Sequence, residues 1–130
     1  MAIWFSIKEF ESSPTAKRLG IVNSVPSELK GQAAYTLARL DEIRAGYGKP
    51  IIITSGYRCP QLNKAVGGKP TSQHTKAQAA DLKWDDDLLR YIIERCRYDQ
   101  LIEERSKHTR WLHISFKQHG ERQQYIKLNV

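Results

Sequence analysis

The sequence predicts an α+β fold: a small, mainly antiparallel sheet with helices packed on one of its faces. Three observations indicate this. Helical patterns dominate the first half of the chain, strand patterns dominate the second, and the 130 residues are enough for one hydrophobic core. A hydrophobic content of 40% with 27% charged residues is typical of a globular chain rather than a disordered one. We therefore treat residues 1–130 as a single domain.

The first half is predicted to be helical. After a short apolar opening, Ser13 and Pro14 have the residue types of an N-cap and a first helical position, and Gly20 ends this brief helix. Residues 27–46 then predict the longest helix, because apolar side chains recur there at spacings of three and four. Its apolar face consists of Leu29, Ala33, Leu37, Leu40 and Ile43, and it is expected to stop at Gly46, Gly48 and Pro50.

The middle of the chain predicts a strand, a loop and a short helical turn. The run IIIT at 51–54 is β-branched throughout, which favours a buried strand. A helical turn from Pro60 to Val66 is expected to close at the two glycines that follow it. Residues 79–84 predict a second strand.

The second half continues with one helix and three strands. The acidic cluster Asp85–Asp87 suits a helix N-terminus, and the apolar spacing that follows predicts an amphipathic helix reaching Cys96. Strands are expected at 99–104, 110–116 and 123–128.

Two segments contain candidate metal ligands: residues 55–81, reading SGYRCPQLNKAVGGKPTSQHTKAQAAD, and residues 111–116, reading WLHISF. Residues seven apart on one helix are separated by roughly 10 Å, so His74 and Asp81 converge only if a turn intervenes. Strand alternation puts Asp81 and His113 on the polar face of one sheet. Two histidines and one carboxylate form the ligand set of a catalytic zinc, which predicts a hydrolase.

Composition excludes some partners. The net charge of +7 attracts polyanions such as nucleic acid, acidic lipid or an anionic cell wall, but no basic run or recognition motif favours nucleic acid. The opening residues lack signal-peptide character, and nothing later has the length of a membrane span, so we expect cytoplasmic synthesis without a signal peptide and no integral membrane association. Cys59 and Cys96 are expected to be free thiols, with a disulfide as the alternative.

Taken together, these segments closely resemble the zinc DD-peptidase family, which comprises D-Ala-D-Ala carboxypeptidases and phage-type endolysins. SGYRCPQLNKAVGG, TSQH, AAD, DQLIEE and WLHISF all fit, as does the opening KEFESSPTAKRLGIVN, and the match is nearest to the small single-domain members. The resemblance implies a hedgehog/DD-peptidase-like fold. Ala77 departs from the pattern, because the family usually has a glycine there.

The resemblance also implies roles for individual residues. His74, Asp81 and His113 would hold one Zn²⁺ ion. Arg58 matches an arginine that contacts substrate and stabilises the developing oxyanion, a task that suits a planar, permanently charged guanidinium. Without the resemblance, Arg58 would be taken for a surface arginine. Ser72 matches a serine that hydrogen-bonds the substrate backbone, with loop capping as its simpler interpretation.

The general base is less directly indicated. Several family members have it three residues before the last histidine ligand, where this chain has Arg110, which cannot act as a base. The resemblance to the smaller members implies that the acid closing the QLIxE segment serves instead, and Glu104 occupies that position. Glu103 and His108 are the other candidates, although both glutamates also suit a solvated strand end. His108 and His119 are expected to be exposed.

These observations predict a zinc metallopeptidase of the D-Ala-D-Ala carboxypeptidase or endopeptidase kind, acting on peptidoglycan stem peptides or cross-links at a bond involving D-alanine. We expect a monomer of phage or prophage type that acts on the cell wall after release, or as a virion component; a cellular carboxypeptidase is the second enzymatic possibility. The alternatives from other classes are a non-catalytic zinc-binding module on the same fold and, well behind it, a basic nucleic-acid-binding domain.

Overall fold

The computed structural model describes residues 4–130, and within them the chain forms five α-helices and one five-stranded sheet. The helices are α1 (Ile7–Glu11), α2 (Pro14–Leu19), α3 (Lys30–Tyr47), α4 (Pro60–Ala65) and α5 (Asp86–Arg95). The strands are β1 (Ile53–Ser55), β2 (Ala79–Lys83), β3 (Gln100–Arg105), β4 (Arg110–Ser115) and β5 (Gln124–Asn129). Short 3₁₀ turns occupy Ser27–Leu29 and Gln73–Lys76.

The sheet has the strand order β1-β2-β4-β3-β5. Every neighbouring pair is antiparallel except β3 and β5, which run parallel. The predicted α+β class with a mainly antiparallel sheet is therefore confirmed. Apart from β1, each strand lies within one residue of its predicted bounds.

The core lies against one face of this sheet. Leu82 pairs with Leu112, and Leu101 pairs with Ile114, so these side chains share a face, and all four are fully buried. The apolar side of α3 packs on them through Ala33, Leu37, Leu40 and Ile43, as its spacing predicted. The opposite face of the sheet is consequently left for the polar residues that alternate with these.

The helix boundaries follow from capping. The Ser13 hydroxyl accepts a hydrogen bond from the backbone N–H of Ala16, Pro14 takes the first helical position, and Gly20 adopts the left-handed conformation that ends α2. Asp85 caps α5 in the same manner, with its carboxylate accepting from the N–H groups of Asp87 and Leu88. Both helices confirm the sequence prediction.

Two details of the prediction were wrong. Gly46 does not stop the long helix, which continues to Tyr47 and ends at Gly48 with φ +78°. A Cβ at Gly46 would collide with the hydroxyl end of the Tyr91 side chain, which packs against this position from α5. The strand predicted at 51–54 is also shorter, begins at Ile53 and forms a sheet edge. Because it is an edge, Ile52 is 52% exposed instead of buried.

The N-terminal segment contains a helix where the sequence indicated only an apolar opening. Ser6 caps α1, and Phe10 within it is completely buried. The Phe10 carbonyl accepts from the N–H of Tyr57, which fixes α1 beside the loop that follows β1. None of the helices within residues 4–130 combines the length and the apolar character needed to cross a bilayer.

Candidate metal centre

The register of two strands brings the first two candidate ligands together. Asp81 on β2 lies directly opposite His113 on β4, so both side chains project from the face of the sheet that lies away from the core. Asp81 Oδ1 is 3.2 Å from His113 Nδ1, and both residues are 7% exposed. The alternation of polar and apolar residues along the two strands predicted this pairing of faces, but it did not specify the register.

His74 reaches the same carboxylate from the 3₁₀ turn Gln73–Lys76. Its Nε2 lies 3.2 Å from Asp81 Oδ1, on a side chain that is almost completely buried. The turn ends at Ala77, which has φ +58° and is fully buried. This left-handed conformation is the one that glycine adopts without penalty, which explains why glycine is the usual residue of the related family there. Alanine nevertheless supports the same turn.

A backbone carbonyl fixes the tautomer of His74. Its Nδ1 lies 2.7 Å from the carbonyl oxygen of Gly56, which can only accept a hydrogen bond, so Nδ1 must carry the proton. Nε2 is the ring nitrogen that faces Asp81, so it is the one available as a metal ligand. A histidine whose second nitrogen is held in this way is the usual arrangement around a protein-bound metal. The His113 ring stands edge-on to it, with ring centroids 5.1 Å apart.

The donor set fits a zinc ion. One atom from each of His74, Asp81 and His113 lies within 4.8 Å of the others, and all three residues are buried. Two imidazole nitrogens and one carboxylate oxygen leave a fourth tetrahedral position for solvent or substrate, which is the composition of catalytic zinc sites. The structure thus unites the three predicted ligands, although the same donors also suit other divalent ions.

Glu104 lies on the same face as the three ligands. It pairs with Trp111 across β3 and β4, and the Trp111 indole N–H donates to its Oε2 over 3.2 Å. The same oxygen is 3.8 Å from His113 Nδ1. Burial, and next the negative charge of Asp81, raise the pKa of Glu104 above its usual value.

The other base candidates lie elsewhere. Glu103 pairs with Leu112, so it projects from the core side of the sheet, and His108 is exposed in the turn between β3 and β4. Arg110 points away from the ligands: its guanidinium stacks on the Trp84 ring at 4.1 Å and meets Asp86 at 4.0 Å. His119 is exposed, as expected.

Arg58 is no surface arginine, since its side chain is only 15% exposed. Nη1 donates to Asn63 Oδ1 at 3.1 Å, and Nη2 is 3.7 Å from Asp81 Oδ2. Its Nε is buried and has no hydrogen-bond partner among the described residues. Burial lowers the pKa of the guanidinium, against the opposing attraction of Asp81 and Glu104.

Ser72 has the loop-capping contact that its simpler interpretation predicts, because its hydroxyl accepts from the backbone N–H of His74 at 3.2 Å. It also lines a cleft of about 440 Å³ together with Arg58, His74, Glu104 and His113. The predicted catalytic, substrate-binding and metal-binding residues therefore meet at this cleft or beneath it, and their individual roles stay predictions.

Sequence reasoning missed the residues that support these groups. Gln73, to which the sequence assigned no role, donates from Nε2 to Asp99 Oδ2 at 2.7 Å. Asp99 is fully buried and is held by the Arg122 guanidinium, with its Nη2 at 2.6 Å. This network ties the turn that carries His74 to the start of β3. An acid at the predicted start of the 99–104 strand was the only sequence signal for it.

The cysteines lie outside this site. Cys59 caps α4, with its sulfur accepting from the N–H of Leu62, and Cys96 follows the end of α5. Both are free thiols, as expected.

Comparison with known protein families gives a match over most of the chain. The family model described as Peptidase M15 matches residues 4–115, which include all three candidate ligands, Glu104 and Arg58. No curated protein matches the chain. Strand β5 lies beyond the matched range.

Proposed function

The chain belongs to the M15 peptidase family, a family of zinc-dependent D-Ala-D-Ala carboxypeptidases, and from this premise we propose that it is a zinc metallopeptidase of the bacterial cell wall. Its substrates are the stem peptides or cross-links of peptidoglycan, cleaved at a bond involving D-alanine. The observation that carries the proposal is the buried His74–Asp81–His113 cluster, with Glu104 and Arg58 beside it.

Each residue has a chemical task in this proposal. A zinc ion held by His74, Asp81 and His113 would lower the pKa of a water molecule and polarise the scissile carbonyl. Glu104 takes a proton from the attacking water and delivers it to the leaving amine, which is general acid–base catalysis. Its raised pKa suits a group that must hold a proton between these two transfers.

Arg58 stabilises the negative charge that develops on the carbonyl oxygen. Its guanidinium is fixed by Asn63 and by Asp81, so it needs little reorganisation when that charge appears. Ser72 lines the cleft, and its hydroxyl can donate to a substrate carbonyl while it accepts from the N–H of His74.

The surface charge supports the choice of substrate. A net charge of +7 draws the protein toward an anionic cell wall and raises the rate of encounter, without providing specificity. We propose a monomeric lytic enzyme of phage or prophage type that reaches the wall after release or as part of a virion. A carboxypeptidase that trims stem peptides is the other form of this proposal.

Digestion of purified peptidoglycan tests the proposal. The zinc-loaded protein should release peptide fragments whose masses identify the bond that is cut, and a chelator should abolish their release until zinc is restored. Release that a chelator does not affect would contradict zinc catalysis. A zinc-loaded protein that releases neither peptide fragments nor D-alanine would contradict the proposed activity and favour the non-catalytic zinc-binding module.

A further inference from the structure

Resting on the proposed function, we propose that the protein is an endopeptidase: it binds substrate residues on both sides of the scissile bond, in two arms of one cleft that meet at the metal centre. The preferred substrates are then internal bonds of extended or cross-linked peptides rather than the last bond before a free carboxylate. The inference depends on where two surface depressions lie relative to the ligands.

The first arm is the cleft of about 440 Å³ that contains His74, His113 and Glu104. Its outer wall comes from the end of β5. Because β5 runs parallel to β3 with Leu128 opposite Glu104, Leu128 projects from the same face as the catalytic groups. It is 44% exposed, and it offers an apolar surface to a side chain of the substrate.

The second arm is a depression of about 280 Å³ on the other side of Arg58, and Asp81 forms part of its lining. Its hydroxyl groups come from Ser13, Thr15, Thr54 and Ser55. The Ser13 hydroxyl caps α2, and Thr54 donates to the Asp81 carbonyl. The hydroxyls of Thr15 and Ser55 are therefore the most available to a peptide backbone, because Ser13 and Thr54 each use part of their hydrogen-bonding capacity within the protein.

The two arms meet at the reacting centre. Asp81 lines the second arm, His74 and His113 line the first, and the donor atoms of these three residues lie within 4.8 Å of one another. Arg58 lines both arms. A peptide whose scissile carbonyl lies beside Arg58 can therefore continue in two directions.

Charge also argues against a terminal carboxylate in the second arm. Among the described residues that line it, Arg58 is the sole cation, and the proposed mechanism already assigns its guanidinium to the carbonyl oxygen of the scissile bond. Enzymes that remove a terminal residue need a positive group free to hold its carboxylate. In the first arm Lys69 could do so, because its exposed side chain lies on the cleft lining.

The test uses synthetic peptides built around the bond that peptidoglycan digestion identifies. One peptide extends by three residues on both sides, and two others are truncated to a single residue on one side or the other. We expect kcat/KM to fall about tenfold or more on either truncation, because each arm loses its contacts. Preference for the peptide with one residue and a free carboxylate after the bond would overturn the inference, whether or not Lys69→Ala abolishes that preference.

Variants then assign the arms. Thr15→Trp should fill the second arm and remove the benefit of extension on one side, while Leu19→Trp on the same helix lies outside both linings and is its control. Leu128→Ser should remove the benefit on the other side, with Tyr125→Ser, on the opposite face of β5, as control. If neither arm variant changes the dependence on peptide length, the two-armed cleft is wrong.

Binding separates this inference from the proposed function. Calorimetric titration of zinc-loaded Glu104→Gln with the three peptides needs no turnover, and the fully extended peptide should bind about tenfold more tightly than either truncated one. If the wild type cleaves no peptide, the proposed function fails while this titration still tests the arms. Equal affinity for all three peptides overturns the inference.

Discussion

Glu104 Oε2 lies 3.8 Å from Nδ1 of His113, on neighbouring antiparallel strands. The two residues share a face because Glu104 pairs with Trp111, two positions before His113, and the Trp111 indole holds the carboxylate. An acid and a candidate ligand are thus fixed by sheet register and one hydrogen bond. This arrangement supports the proposal that Glu104 is the base in a chain that has Arg110 at the position where the resemblance leads one to expect an acid.

Replacing Glu104 by glutamine should reduce hydrolysis about 100-fold to 10,000-fold, the usual contribution of a general base, while zinc content stays unchanged. The matched control is Glu103→Gln, which removes a charge of the same sign from the other face of the strand. The measurement is the rate of hydrolysis of a stem peptide, with the zinc content determined on the same samples. Wild-type activity in Glu104→Gln would remove this residue from the mechanism.

Arg58→Lys should lower kcat about 100-fold to 1,000-fold, the typical effect of losing an oxyanion donor. Lysine keeps the positive charge but cannot bond Asn63 and face Asp81 at once, as the guanidinium does. Arg90→Lys on α5, whose side chain is 69% exposed, is the control. An unchanged kcat with a raised KM would mean that Arg58 contributes only to substrate binding.

Gly56→Ala should disturb the metal centre by displacing the backbone carbonyl that contacts His74. A Cβ there would collide with the carbonyl and ring of buried Phe10, and the Gly56 carbonyl orients His74. We expect a loss of about 1–3 kcal/mol in the free energy of unfolding and zinc binding weakened about 10-fold to 100-fold. Urea denaturation and zinc titration measure the two effects.

Gly31→Ala on α3 is the matched control, since no heavy atom lies within 4 Å of the added Cβ. It should be neutral or stabilise the protein by up to about 1 kcal/mol. If Gly56→Ala behaves as Gly31→Ala does, the close contact with Phe10 has no role in holding His74.

Asp99→Asn should reduce stability in a pH-dependent manner. Hydrogen bonds from Arg122, with a further one from Gln73, hold the pKa of the Asp99 carboxyl well below its usual range despite burial. A depressed native pKa contributes stability above the unfolded pKa, about 3.9, and that contribution disappears as the pH falls toward the native value. At pH 7 we expect Asp99→Asn to lower the free energy of unfolding by about 1–3 kcal/mol. This difference from the wild type should become smaller below about pH 4.

Urea denaturation of wild type and Asp99→Asn across this pH range measures the difference. The exposed Asp87 is the control, and Asp87→Asn should change stability by no more than about 0.5 kcal/mol. A difference between wild type and Asp99→Asn that does not change with pH would show that the charge of Asp99 is not what stabilises the network.

The sequence was sufficient where local rules decide the structure. Capping residues and apolar spacing predicted α2, α3 and α5, and strand alternation put Asp81 and His113 on one face. It was insufficient where distant segments meet. The truncation of the 51–54 strand follows from its place at the sheet edge, which no local pattern encodes.

The same limit applies to the candidate site. The ligands and Arg58 stand in recognisable segments, but the groups that orient them do not. The contact between His74 and the carbonyl of Gly56 joins positions 18 residues apart and uses backbone atoms, which carry no sequence signal. The Gln73–Asp99 contact spans 26 residues and depends on how the 3₁₀ turn packs against the sheet.

Metal content tests the central claim most directly. After loading and removal of excess metal, elemental mass spectrometry should find one zinc ion per wild-type chain. In a zinc titration, His74→Ala, Asp81→Asn and His113→Ala should each bind zinc about tenfold or more weakly than the wild type. His119→Ala, an exposed histidine outside the cluster, should keep the ion. A wild-type protein that retains no zinc, or a His113→Ala variant that binds it as tightly as the wild type, would contradict the account.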